Sequence, residues 1–350
     1  MTHIRRLLPE WAPQEAIILA WPHADTDWAP WLETVRGVYL ELIRAINRQG
    51  TGVLLLIKDS DIEEFLAGDN LGDKVLLLKA DFNDTWVRDY GFLTCQSDQG
   101  MQPVEYRFNG WGNKFDAAKD NLINRQVLAV LCKLPLVSAE LVAEGGALEI
   151  DAQGHLLSTA LCLQNPERNG PMNLEDYREQ FRSFLGAERV SIFEHGHLEG
   201  DDTDGHIDTL VRFTPGKGLV VQSAFNRPQD SHYEGLRALV DECRLALPDH
   251  QIFELPLPEI YDEGERLPAS YANYLINNQQ VLCPIYGEEE DNLALEVIAK
   301  AYPRHQIVAV NCLPLVRQFG SLHCISMQVP TGTLTDKVIA QLGAGVSIYA

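Results

Sequence analysis

The chain has 350 residues, 45% of them hydrophobic and 22% charged, and sets 50 acidic against 28 basic side chains for a formal net charge of -22. That length is ample for one large domain or two ordinary ones, with the composition of a water-soluble globular protein. The acidic balance repels nucleic acid and anionic membrane surfaces and admits a small cationic ligand, although acidity also serves solubility alone.

Residues 1–14 lack the apolar core of a signal peptide. Residues 16–21 read as a buried strand ended by Pro22, and residues 34–47 as an amphipathic helix carrying Val35, Val38, Tyr39, Leu42, Ile43 and Ile46 on one face. Strand signals follow at 53–57, 75–78, 156–159, 218–221, 280–283 and 306–310. Helical patterns fall at 174–185, 233–247 and 292–301. Strands alternating with helices predict an α/β or α+β architecture. The proline- and acid-rich stretch 255–268 reads as a long surface loop, and no low-complexity linker divides the chain. One compact domain over 1–350 is expected, with its chemistry on loops and strand ends.

The seven cysteines (Cys95, Cys132, Cys162, Cys243, Cys283, Cys312 and Cys324) are odd in number, scattered and without a C-x-x-C pair. Neither a disulfide framework nor a zinc site is expected from them; most sit in apolar runs and read as inert buried thiols of a reducing compartment. No apolar run is long enough to span a bilayer. A cytoplasmic protein without a membrane partner is expected.

Three polar or glycine-punctuated segments carry reactive side chains: 86–89 (WVRD), 202–208 (DTDGHID) and 320–324 (GSLHC). A cysteine nucleophile, a histidine that moves protons and carboxylates that grip a planar cation are the groups needed to open a guanidinium. His206 and Asp208 open HIDTLVRF, which reads as a strand, where positions two apart share a face. The crowd of Asp201, Asp202 and Asp204 also reads as a Ca²⁺ or Mg²⁺ loop, though not an EF-hand, because Gly205 in the glycine position puts Gly200 at the first ligand position. Cys324 reads as the entrance to a last strand, 325–329; strand neighbours point apart, so His323 is given no role. Read singly, Arg88-Asp89 fits a surface ion pair, Glu144 before two glycines fits a turn cap, and 108–113 (FNGWGN), with Trp111, fits a binding loop or a plain turn.

Taken together, several segments resemble the agmatine deiminase branch of the guanidino-group-modifying enzymes, related to the bacterial peptidylarginine deiminases. They are 9–23 (PEWAPQEAIILAWPH), 84–91 (DTWVRDYG), 108–115 (FNGWGNKF), 144–151 (EGGALEID), 162–169 (CLQNPERN), 201–213 (DDTDGHIDTLVRF), 267–276 (LPASYANYLI) and 320–330 (GSLHCISMQVP). The resemblance runs nearly end to end. It implies the pentein α/β propeller, five pseudo-repeated ββαβ units around a central active site. It also implies Cys324 as nucleophile, His206 as general acid/base, and Asp89 and Asp208 as the guanidinium-binding carboxylates. Asp202 and Trp86 match positions near the amine end of the substrate; Glu144, Asn273 and Trp111 lie in matching binding motifs. Hydrolysis of agmatine to N-carbamoylputrescine and ammonia, without metal or organic cofactor and in a homo-oligomer, is the implied activity. Peptidylarginine or free-arginine deimination, amidino transfer, or a non-catalytic acidic metal-binding protein stand as alternatives. Two departures touch the pocket: 319–324 reads FGSLHC where the family has a glycine-rich Gly-Asn-Ile-His-Cys run, and 90–92 reads YGF where it has Thr-Gly-Pro.

Overall fold

The computed structural model describes residues 5–69 and 71–349; residues 1–4 of the N-terminal stretch considered above lie outside it. Five sheets repeat one plan, in which an antiparallel pair is followed by a parallel third strand reached through a crossover. Gly218–Gln222 pairs antiparallel with Val211–Thr214 and parallel with Gln251–Leu255, the helix Tyr233–Ala246 crossing between. Gln280–Ile285 lies likewise between Leu275–Asn277 and Gln306–Asn311, with Asp291–Ala301 as its helix. His155–Thr159 lies between Glu149–Ile150 and Arg189–Phe193, with Leu174–Leu185. In the blade Leu93–Ser97, Gly100–Arg107 and Val137–Val142, short 3₁₀ and π turns replace the helix.

The fifth blade joins the two ends of the chain. Met327–Pro330 runs antiparallel to Gln14–Ala20, which pairs parallel with Gly52–Ile57 through the helix Leu32–Asn47. Gly52–Ile57 is buried along its whole length, so it reads as a continuous apolar run rather than an alternation. Arg5–Leu7 reaches across to the edge strand Leu93–Ser97 of another blade. These five ββαβ units make the α/β propeller implied by the resemblance.

This plan positions the site. Asp89, Glu144, the pair His206 and Asp208, Asn273 and Cys324 each stand just before the first strand of a different blade. Residues far apart in the chain therefore reach one centre because each occupies the same place in its repeat.

Three readings are corrected. Residues 206–209 are not strand: Ile207–Thr209 is a 3₁₀ turn, and the strand begins at Val211. The last strand starts at Met327, leaving 321–325 as a turn in which His323 and Cys324 converge on the same neighbours. The stretch 255–268 holds a small hairpin, Tyr261–Asp262 with Glu265–Arg266, and buries Leu255, Leu257, Ile260 and Leu267. Its prolines interrupt long strands without making it a surface loop. No helix among the described residues is long and apolar enough to cross a membrane.

Candidate active site

The Cys324 turn is pinned by Asn273. The Asn273 carboxamide oxygen accepts from the backbone N–H groups of His323 (3.0 Å) and Cys324 (3.4 Å), and its Nδ2 lies 3.3 Å from both Cys324 Sγ and Asp208 Oδ2. Burial, with Asp208 and Asp89 nearby, holds the Cys324 thiol well above its ordinary pKa, so the free protein keeps it protonated. Its sulfur nevertheless faces a pocket, 4.0 Å from Asp208 Oδ2.

Arg88 and Asp89 sit on the short helix Val87–Tyr90 and are both buried, which rules out the surface ion pair. Asp89 accepts from Trp111 Nε1 (2.9 Å) and the Gly146 N–H (2.9 Å). No arginine or lysine side chain bonds it among the described residues, and burial, helped by Asp208 and Glu144, pushes its pKa up to about 6 despite His206. Burial also works against the ionised Asp208, but His323 and His206 prevail and keep its carboxyl low. Asp208 Oδ1 is buried without a hydrogen-bond partner. A buried carboxylate oxygen left unpaired is costly unless a cation meets it.

His206 stands between two acids. Nδ1 lies 3.6 Å from Asp89 Oδ1 and Nε2 lies 3.7 Å from Glu144 Oε2. Burial opposes the imidazolium, yet Asp89, Cys162 and Glu144 together raise its pKa well above the usual value. Glu144 is itself held by Arg168, whose Nε lies 2.8 and 3.1 Å from its two oxygens, while Arg168 Nη1 reaches Asp204 at 2.7 Å. Gly146 lets these groups meet. A Cβ there would stand 2.7 Å from His206 Nδ1, 2.8 Å from Asp89 Oδ1 and 3.1 Å from Asp208 Oδ2.

His323, given no role above, is fully buried, with Nδ1 2.6 Å from Asp208 Oδ2 and Nε2 2.5 Å from Glu10 Oε1. Glu10 also binds Arg212 and, at 3.2 Å, Arg88. Burial opposes its charge, but Arg212, His323 and Arg88 outweigh that and hold its carboxyl well below the usual range. Burial, Arg212 and Arg88 push His323 toward neutrality, whereas two short bonds to ionised, acceptor-only oxygens require hydrogen on both ring nitrogens. With a hydrogen on each ring nitrogen, His323 is an imidazolium. The roles of Glu10 and His323 are tertiary; along the chain they show only as members of the family segments 9–23 and 320–330.

The pocket above Cys324 is a cavity of about 100 Å³. Trp86, Trp111 and Phe115 give it aromatic walls, and Asp27, Asp84, Asp89 and Asp202 line it with no arginine or lysine. Burial, and then Asp201, pushes Asp202 up to about 6; burial pushes Asp84 to about 6 as well. Trp86 is wedged against Gly320, where a Cβ would fall 2.2 Å from the ring. The rim uses strained backbone, with positive φ at Trp111, Asp204 and Phe319. Of the two departures, Phe319 lines the pocket, whereas Tyr90 and Phe92 are buried away from it. Within 201–208, Asp201 and Asp204 spend their carboxylates on protein partners, whereas Asp202 faces the pocket and Asp208 keeps Oδ1 unpaired. Asp201 caps the N–H groups of Thr203 and Gly205, and Asp204 binds Lys114, Asn165 and Arg168.

All nine residues singled out in the sequence thus gather at the propeller axis: Cys324, His206, Asp208, Asp89, Asn273 and Glu144 at its base, and Trp86, Trp111 and Asp202 around the pocket. A five-bladed α/β propeller with a cysteine, a histidine and paired aspartates at its centre defines a guanidino-group-modifying enzyme. The model of the Porphyromonas-type peptidyl-arginine deiminase family matches residues 6–330, and the chain belongs to that family. A Legionella pneumophila (strain Philadelphia 1) protein provisionally named an agmatine deiminase is 31% identical over 334 residues, covering 92% of this chain and 93% of the relative. The structure of a C. jejuni agmatine deiminase with substrate bound is 32% identical, with a TM-score of 0.87 over 94% of this chain and 97% of that one. A Porphyromonas gingivalis structure, provisionally named an arginine deiminase, is 38% identical, with a TM-score of 0.88 over 95% of this chain and 100% of that one.

Gly146→Ala is expected to lower kcat/KM about 10²-fold while moving the urea midpoint little, because the added methyl displaces three reacting groups at once; wild-type turnover would contradict this packing. Glu10→Gln leaves Arg212, Arg88 and His323 without their common anion and is expected to cost about 3 kcal/mol of stability in urea unfolding. A loss under about 1 kcal/mol would mean the cluster is not held by charge.

Proposed function

We propose that the protein hydrolyses the guanidinium group of agmatine, giving N-carbamoylputrescine and ammonia. The observation that carries this reading is the pair Asp89 and Asp208. Two buried carboxylates stand beside a cysteine sulfur, one without an arginine or lysine partner and the other with an unpaired oxygen. Paired charge-assisted hydrogen bonds from a planar guanidinium would satisfy both and set its carbon over Cys324.

The arriving cation cancels the field of the two carboxylates that keep Cys324 protonated, and the thiol proton leaves to solvent through the pocket. The thiolate attacks the central carbon, forming a C–S bond. His206 protonates a terminal nitrogen from Nδ1, and ammonia departs as the C–N bond breaks, leaving an amidino-thioether cation on Cys324. The neutral imidazole then takes a proton from water as its oxygen adds to the same carbon. Collapse breaks the C–S bond, the hydroxyl proton of the adduct passes to the leaving sulfur, and the ureido product, the free thiol and a reprotonated His206 remain. Glu144, held by Arg168, fixes the ring from the Nε2 side. No step as written uses a metal or organic cofactor.

The lining supports agmatine over free arginine. A carboxylate at the far end of the substrate would meet Asp27, Asp84 and Asp202 and no cation, whereas an ammonium is favoured there. A narrow cavity with aromatic walls suits an unbranched methylene chain better than a peptide backbone. The reading takes residues 1–350 as one catalytic domain, cytoplasmic and homo-oligomeric, with a small guanidino cation and neither nucleic acid nor membrane as partner.

Ammonia and ureido product should form from agmatine, far less from free arginine, and not from a blocked arginine peptide. Cys324→Ser should reduce turnover by about 10³-fold or more. Preference for arginine would overturn the substrate assignment, and a serine variant as fast as wild type would overturn the covalent route. With Asp89 near 6, protonation removes a guanidinium acceptor, so kcat/KM for agmatine should fall as pH drops through about 6. A profile flat down to about pH 5 would show that Asp89 does not carry the binding charge.

A further inference from the structure

We propose that Glu144, Cys162 and His206 form a binding site for one thiophilic divalent cation, Zn²⁺ or its softer congener Cd²⁺, and that its occupancy switches the enzyme off. The inhibitory half rests on His206 being the acid/base of the reaction proposed above. The binding half does not.

Cys162 sits on the short helix Ala160–Leu163, directly behind the catalytic histidine, and the hydrolytic route gives its thiol nothing to do. Its Sγ is 3.9 Å from Glu144 Oε2, and His206 Nε2 is 3.7 Å from that same oxygen. The three ligand atoms all lie within 4.8 Å of one another. A point equidistant from them is no more than about 2.5 Å from each, a few tenths of an ångström beyond Zn²⁺ bond lengths of about 2.0 to 2.3 Å. All three residues are buried, and His206 Nε2 has no hydrogen-bond partner. Once its proton is released, an imidazole nitrogen with no hydrogen-bond partner, within 4.8 Å of a thiol and a carboxylate, offers its lone pair to a cation. Thiol, imidazole and carboxylate together select Zn²⁺ over Mg²⁺ or Ca²⁺.

The surroundings suit an ion as well. Arg168 grips Glu144 at 2.8 Å and is itself answered by Asp204 at 2.7 Å, so this neighbouring pair brings no net charge. The Glu144 carboxylate and a Cys162 thiolate then neutralise the dication, which removes most of the penalty for burying it. Asp89 Oδ1, 3.6 Å from His206 Nδ1, supplies the carboxylate that commonly backs a metal-bound imidazole. Binding forms metal–sulfur, metal–nitrogen and metal–oxygen bonds and releases the Cys162 S–H proton and the His206 Nε2 proton to solvent, with no change of oxidation state. His206 keeps only the Nδ1 proton on its substrate side. Giving that proton to the leaving ammonia would leave a metal-bound imidazolate, so the first half-reaction stops.

The test uses full-length Cys324→Ser protein, which removes the competing nucleophile, titrated with Cd²⁺ and followed by the ultraviolet cadmium–thiolate charge-transfer band. One ion per chain is expected. Adding Cys162→Ser should weaken binding at least tenfold, and His206→Asn on the same Cys324→Ser background should do so too, which keeps a decision in hand if the first variant fails to fold. No band, or a band indifferent to both substitutions, overturns the site; so does a band that appears only when Cys324 is present, which puts the ion on the nucleophile. In protein carrying Cys324, Zn²⁺ should inhibit agmatine turnover, and Cys162→Ser should raise the half-inhibiting concentration at least tenfold; inhibition unchanged by that substitution overturns the switch. Metal-free protein that turns over no guanidine at all would sink the deiminase reading while the cadmium band still upheld the ion site.

Discussion

The structure depends on one constraint: carboxylates buried at the axis of the propeller must be balanced by cations buried with them. Glu144, Asp89 and Asp208 are removed from water and Glu10 is nearly so, and isolated carboxylates in such a place would neutralise or unfold the protein. Arg168 answers Glu144, Arg212 and Arg88 answer Glu10, and His323 bridges Glu10 to Asp208. The Arg168–Glu144 pair lies within one blade, whereas the Glu10 and His323 contacts cross from one blade or terminal segment to another. The charge balance therefore also holds the blades in register, in the way a buried network can fix a unique arrangement.

Where the balance stops short, chemistry becomes available. Asp89 is the axial acid without an arginine, lysine or His323 of its own, and Asp208 keeps one oxygen unpaired. A substrate carrying a planar positive charge completes the set, and the sulfur that such a charge activates lies beside it. In the mechanism proposed above, binding energy and nucleophile activation come from the same electrostatic deficit, which couples recognition to reaction. The back of His206 repeats this pattern on a smaller scale, with Nε2 3.7 Å from a Glu144 oxygen and without a hydrogen-bond partner, and the Cys162 thiol beside that same oxygen.

Closure of the ring explains why the two ends of the chain matter to a central site. Glu10 precedes Gln14–Ala20, and Cys324 precedes Met327–Pro330; those two strands pair, so Cys324 and the acid that orders its neighbour His323 arrive together. Glycine is required in this assembly for want of space rather than for turning at Gly145 against the Arg88 carbonyl, Gly146 beneath His206 and Asp89, and Gly320 against Trp86.

By itself, the sequence determined the local elements and singled out the groups proposed to react. The helices 34–47, 174–185 and 233–247 and the apolar strands announced themselves through periodicity, because each must bury one face or both. The side chains of 86–89, 202–208 and 320–324 named a chemistry, because few residue types can attack, protonate and grip a guanidinium. Only the tertiary structure decided that Arg88, Glu10 and His323 are buried partners rather than surface charges, that 206–209 turns where a strand was expected, and that Cys162 stands behind the histidine. A charge's partner and its depth depend on which blades meet at the axis, and that distance through space leaves no period along the chain.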